Sequence, residues 1–215
     1  MMMIGSLHNI PVTRLISLSC LLLAISCTKD SGKLSGNAAP ANSVVIVDIP
    51  DTTITLDIAN NMTLNYNIDV DQDNSTDFFI DAYSSTVQCV HGTQQIYSFT
   101  LNTNTPNNRV LDLPAQWKTM PGSGYTFDAN SLNWNTYCIL GDAQSYPPQC
   151  IGTGGYYYDA NSKYIGIKLY KNNNYYYGWI LVDWKIDFSP LPPACHLTLK
   201  KFAYNTIPNA GVVTP

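Results

Sequence analysis

The chain contains no glutamate: all fifteen of its acidic residues are aspartate. Glutamate is a good helix former, whereas aspartate competes with the backbone for hydrogen bonds and favours turns and caps. Lysine and arginine are also scarce, 11 in 215 residues, so most of the straight-chain polar residues that build helix surfaces are missing. Asn, Thr and Tyr take their place, with Tyr alone contributing 15. Such residues suit pleated strands and the turns between them. The chain is therefore expected to be all-β with many polar loops.

Period-two alternation places the strands. Ile54, Leu56 and Ile58 alternate with Thr53, Thr55 and Asp57, and Met62, Leu64, Tyr66 and Ile68 with Thr63, Asn65 and Asn67. An apolar run at 43–49 precedes them, and Tyr97, Phe99 and Leu101 repeat the pattern. Ile165, Ile167 and Leu169 share one face, with Tyr164, Lys168 and Tyr170 opposite. Asn172-Asn173-Asn174 supplies a turn that tolerates positive φ. The return strand carries Ile180, Val182, Trp184 and Ile186 on one face, and a last strand covers 196–204. Residues 103–163, rich in Pro and Gly, read as long loops with short strands. The expected architecture is a single antiparallel β-sandwich over 44–215, jelly-roll-like, with long polar loops.

The N-terminus reads as an address. Residues 15–26 form a 12-residue apolar run, too short for a bilayer-spanning helix of about 20 residues but suited to the core of a signal peptide. Leu23-Ala24-Ile25-Ser26-Cys27 resembles a bacterial lipobox. That resemblance implies cleavage of residues 1–26 and acylation of Cys27, so the chain would hold the membrane through buried lipid methylenes. Residues 27–43, small and polar with Gly and Pro, read as a flexible tether. Thr28 is unlike the Asp of inner-membrane retention, which points to the outer membrane, and Lys29-Asp30 resembles the surface-export signal of Bacteroidota-type lipoproteins. A net charge of −4 excludes the basic footprint of a nucleic-acid binder.

Four cysteines follow Cys27: Cys89, Cys138, Cys150 and Cys195. An even number in an exported chain suggests two disulfides. Of three possible pairings, Cys138–Cys150 would close a short loop around Pro147-Pro148, leaving Cys89–Cys195 to tie an early strand to a late one.

One motif suggests metal chemistry. Asp69, Asp71, Asp73 and Asp77 stand at positions 1, 3, 5 and 9 of a loop. Calcium takes six to eight oxygen ligands, and alternate aspartates on a tight turn can supply several. The loop resembles the D-x-D-x-D run of EF-hands, but Asn74 replaces the usual Gly, Ile80 replaces the closing Glu, and both flanks read as strands. The expectation is a structural calcium site in a strand connection, with a solvated acidic loop as the alternative.

No G-x-S-x-G elbow, H-E-x-x-H helix or phosphate-binding loop occurs. The lack of Glu also removes the commonest glycosidase carboxylate. The chain is thus expected not to be an enzyme, with an Asp-based hydrolase as a minority reading. Aromatics crowd the stretch from Tyr156 to Trp184. Flat rings beside amides and carboxylates suit sugars or peptides, and Tyr157, Tyr170 and Tyr176 are the candidate ligand contacts.

The C-terminal half carries an ordered series: Tyr164-Ile165-Gly166-Ile167, Tyr177-Gly178-Trp179-Ile180, Phe202-Ala203-Tyr204-Asn205 and Ile207-Pro208-Asn209-Ala210-Gly211. Over about residues 62–211 this resembles a group of exported Bacteroidota-type β-sandwich proteins with an Asp-rich loop and no assigned function. The resemblance brings no catalytic residues. Together these features lead to a lipid-anchored binding or adhesion module of the outer membrane, with glycans as the candidate ligand and protein as another. A structural envelope component without a small ligand is the alternative.

Overall fold

The computed structural model describes residues 43–57, 61–89, 92–112, 121–146, 150–154, 160–187 and 194–215. The expected signal peptide (1–26), Cys27 and the tether up to residue 42 lie outside the described residues, as does Tyr157. Among the described residues no helix is long and apolar enough to cross a membrane.

The chain is all-β. Its strands are β1 (Val44–Asp57), β2 (Met62–Ile68), β3 (Phe78–Cys89), β4 (Gly92–Thr103), β5 (Arg109–Leu111), β6 (Thr126–Phe127) and β7 (Trp134–Asn135). They continue with β8 (Tyr137–Tyr146), β9 (Cys150–Gly154), β10 (Ala160–Lys171), β11 (Asn174–Asp187), β12 (Ala194–Asn205) and β13 (Val212–Val213). A six-stranded sheet has the order β1-β12-β11-β10-β5-β7, and a five-stranded sheet the order β2-β3-β4-β8-β9. The short β6 and β13 form a separate ribbon. The ladders are antiparallel throughout.

The alternating residues explain the two layers. Leu56, Ile165, Ile167, Leu169, Ile180 and Val182 of the larger sheet share one buried cluster with Ile68, Phe78, Ile80, Phe99, Leu101 and Leu140 of the smaller. Removing each such side chain from water contributes roughly 1.5–3 kcal/mol, so this inter-sheet layer is the main source of stability. Trp184 lies in it, edge-on to Phe99 at 4.8 Å between centroids. A second cluster covers the opposite face of the larger sheet, where Tyr164, Tyr177, Trp179 and Leu181 pack with Phe127 and Val212 of the ribbon. Strand β11 is therefore buried on both faces, and Tyr177 to Val182 are all buried in succession. Trp179 fills this second core rather than the space between the sheets.

The β10–β11 hairpin closes at Lys171 and Asn174, with φ of 52° at Asn172 and 59° at Asn173. Positive φ at both central residues matches the twist of the strands they join. The C-terminal motif strands are neighbours in register: Gly166 lies opposite Trp179, Ile167 opposite Gly178, and Gly178 opposite Tyr204. A Cβ on Gly178 would collide with the carbonyl oxygen of Ala203, so close strand packing requires glycine there. Asn205, fully buried, donates to the Gly211 carbonyl at 2.7 Å and accepts from the Ile207 N–H at 3.0 Å. Its role is to clasp the following loop.

Two expectations need correction. The runs at 43–49 and 54–58 belong largely to one edge strand, β1, whose register slips between Asp48 and Thr52. Pro50 has no N–H to give the ladder, and an edge strand tolerates that break. The irregular stretch 103–163 also contains the ten-residue strand β8. Its Cys138 and Leu140 point inward, but Gly141 interrupts the apolar alternation. A Cβ at Gly141 would lie 2.7 Å from the Trp184 ring, so the indole takes the room that a side chain would occupy.

Candidate functional site

The aspartate loop joins β2 to β3. Its base is closed by the Asp77 N–H, which donates to the Ile68 carbonyl at 2.9 Å. Gln72 and Asn74 have φ of 59° and 68°, two left-handed residues that fold the segment back on itself. Asn74 thus takes the conformation expected of the glycine it replaces. The fold-back brings one carboxylate oxygen each from Asp69, Asp71 and Asp77 within 4.8 Å of one another. Asp73, the fourth expected ligand, stands outside that group.

Donor accounting separates the four carboxylates. Asp69 accepts from the Asp73 N–H at 3.2 Å and the Asn74 N–H at 2.8 Å. Asp73 accepts from the Ser75 N–H at 2.9 Å, and this bond is the main cause of its lowered pKa. Asp77 accepts from the Val70 N–H at 2.9 Å. Burial outweighs that bond and, with repulsion from Asp71, Asp69 and Asp73, pushes the Asp77 carboxyl up to about 6. Asp71 differs from the others. One of its oxygens pairs with the Lys171 ammonium, while Oδ1 is buried with no partner. Its side chain is only 4% exposed. An orphaned, buried carboxylate oxygen is costly, because it has lost water and gained nothing.

Residues from both sheets hold the loop. Lys171, at the end of β10, also reaches Asp73 Oδ2 at 3.4 Å. Its pKa is raised chiefly by the hydrogen bond to Asp71. Asn108, nearly fully buried, donates to the Asp77 carbonyl at 3.2 Å and accepts from the Tyr170 N–H at 2.8 Å. Asn104 donates to the carbonyls of Thr76 and Asp77, both at 2.9 Å. The loop therefore bridges the two layers of the sandwich at one end. No sequence motif marks Lys171 or Asn108 for this, since only the tertiary fold brings them to the loop.

The expected disulfides are not formed. Cys138 and Cys195 carry free, buried thiols. Cys138 lies opposite Leu101, whereas Cys150 lies opposite Tyr146. The eight residues of β8 between those registers span roughly 26 Å, far beyond the approximately 7 Å limit between bridged Cα atoms. Cys195 faces the inter-sheet core beside Leu56 and Ile186, and burial pushes its thiol up to about 12. Both thiols pack as small apolar groups. The side chains of Cys89 and Cys150 lie outside the described set.

The tyrosines divide between faces. Tyr170 lies on the outer face of the larger sheet, its ring 5.0 Å from that of Tyr175 and its hydroxyl donating to Asn173 Oδ1 at 3.3 Å. Tyr176 packs against the inter-sheet core, so Tyr170 and Tyr176 do not share one surface. The outer face presents a different group. Lys168 Nζ sits 3.9 Å from the Tyr175 ring centroid, 5.6 Å from that of Tyr177 and 5.7 Å from that of Trp134. Burial is the first cause of its lowered pKa, with Arg109 adding repulsion. Trp134 also lines an open cleft of about 370 Å³ with Asp112, Asn133 and Asn135. Its indole Nε1 is buried without a partner. Alternation along β10 signalled Lys168, but nothing in the sequence linked it to Trp134.

A scan against protein-family models and searches of curated proteins and of solved structures found no match.

Proposed function

We propose that the chain is a lipid-anchored binding module of the outer membrane, displayed toward the cell surface, that recognises glycans without transforming them. The observation that carries this reading is the outer face around Lys168. There Trp134 sets an aromatic ring beside the Asp112, Asn133 and Asn135 side chains at an open cleft. Apolar ring faces stack on the C–H faces of sugars, while amides and carboxylates accept and donate to hydroxyls. The lipobox resemblance at Cys27 supports the membrane anchor. Its test is labelling with a palmitate analogue, which Cys27→Ser abolishes.

The ligand reading is tested with the full chain in detergent on a glycan array. Binding to a defined set of glycans is expected, weakened at least tenfold by Trp134→Ala and unchanged by Tyr83→Ala. Tyr83 is an exposed aromatic of the other sheet. Absence of any glycan binding, or equal losses in both variants, refutes it.

A further inference from the structure

We propose that Asp69, Asp71 and Asp77 form a calcium site that fixes the β2–β3 loop against the β10–β11 hairpin. The proposal is independent of the glycan reading. Three carboxylate oxygens lie within 4.8 Å of one another, so a small inward movement of the loop brings all three to calcium–oxygen distances of about 2.3–2.6 Å. The orphaned Asp71 Oδ1 is the second, independent sign. It is buried and receives no hydrogen bond. A water molecule could satisfy its hydrogen bonding, but water would leave the repulsion among the carboxylates in place. Lys171 supplies one positive charge against Asp69, Asp71, Asp73 and Asp77. A divalent ion supplies the remainder.

Asp73 is not a ligand in this arrangement. Its oxygens serve the Ser75 N–H and the Lys171 ammonium. Calcium fits better than magnesium because it accepts irregular sets of six to eight oxygens, so carbonyls and water can complete the shell. Magnesium demands near-octahedral geometry and gives up its water reluctantly.

The test uses the full chain in detergent, freed of metal with EDTA, and titrated with calcium chloride by calorimetry and thermal unfolding. At a calcium concentration about a hundredfold above the dissociation constant, the melting temperature is expected to rise by roughly 5–10 °C. Asp71→Asn should weaken calcium at least tenfold, and Asp69→Asn carries the same test if that variant does not fold. Asp73→Asn should bind within about threefold of the parent chain. Lys171→Met removes a competing positive charge, so it should lower the metal-free melting temperature yet tighten calcium severalfold. The proposal is overturned by a chain that shows neither binding heat nor a melting shift at 1 mM calcium. It is also overturned by Asp73→Asn losing the ion while Asp71→Asn keeps it, or by magnesium producing an equal shift.

Discussion

Two aspartate-led turns in this molecule solve the same local problem in different ways. At 128–131, Asp128 accepts from the Asn130 N–H at 2.8 Å, the Asn130 amide at 3.3 Å and the Ser131 N–H at 3.1 Å. Its own N–H donates to Ser131 Oγ at 3.1 Å. The carboxylate is spent entirely on closing its turn. In the β2–β3 loop, Asp69, Asp73 and Asp77 do similar work for nearby N–H groups, but Asp71 Oδ1 receives nothing. Counting acids would rank the two turns by number alone. Counting donors shows that one turn is complete and the other leaves a buried oxygen without a donor.

The largest effect that should separate them is on pH dependence. The raised pKa of Asp77 means that the folded, metal-free protein favours the protonated form more than the unfolded chain does. Stability from this group is fully present below about pH 4 and is lost as pH rises through about 6. The loss is on the order of 2 kcal/mol, read from urea unfolding in EDTA at pH 4.5 and 7.5. Asp77→Asn removes this contribution, so the variant should be the more stable protein at pH 7.5 in EDTA. A metal-free parent chain whose Asp77 contribution grows between those values would contradict the burial that sets the shift.

The next effect is local to the complete turn. Asp128→Ala removes an acceptor used by the Asn130 and Ser131 N–H groups, and should cost about 1–2 kcal/mol. That cost should be the same with 1 mM calcium as with EDTA, measured by urea unfolding. Calcium-dependent destabilisation by this change would erase the distinction between the two turns.

The sandwich was legible because alternation is a geometric signature. The inward-facing sets Ile165, Ile167, Leu169 and Ile180, Val182, Trp184, Ile186 follow from alternation alone, and all of them are buried in the inter-sheet core. The second core was not legible. Its partner, the ribbon of Phe127 and Val212, is two short strands far apart in sequence, so no periodicity announces it. The cysteine pairing failed because an even count says nothing about distance, and only the β8–β9 register shows Cys138 and Cys150 far apart. Consecutive tyrosines posed a different problem. Alternation sends Tyr175 and Tyr177 one way and Tyr176 the other, but does not say which way is outward. In the aspartate loop the acids were visible in sequence. The roles of Asp71 and Asp73 became distinct only once Lys171 was brought beside them.

The smallest expected effect concerns backbone strain. The β2–β3 loop places Gln72 and Asn74 at φ of 59° and 68°, while none of Asp128, Ala129, Asn130 and Ser131 has positive φ. Asn tolerates the left-handed region because its short polar side chain bonds locally, whereas Gln gains no such relief. Glycine carries no Cβ and adopts this region without steric cost, although it adds entropy to the unfolded chain. Gln72→Gly should therefore stabilise the protein by a few tenths of a kcal/mol, up to about 1 kcal/mol, and Asn74→Gly should be close to neutral. Asn74→Ala should cost about 1 kcal/mol. Thermal unfolding of the three variants in EDTA orders them as Gln72→Gly above Asn74→Gly above Asn74→Ala. An Asn74→Ala variant as stable as Asn74→Gly would mean that the loop does not need its left-handed residue. The convergence of Asp69, Asp71 and Asp77 would then have to arise without that fold-back.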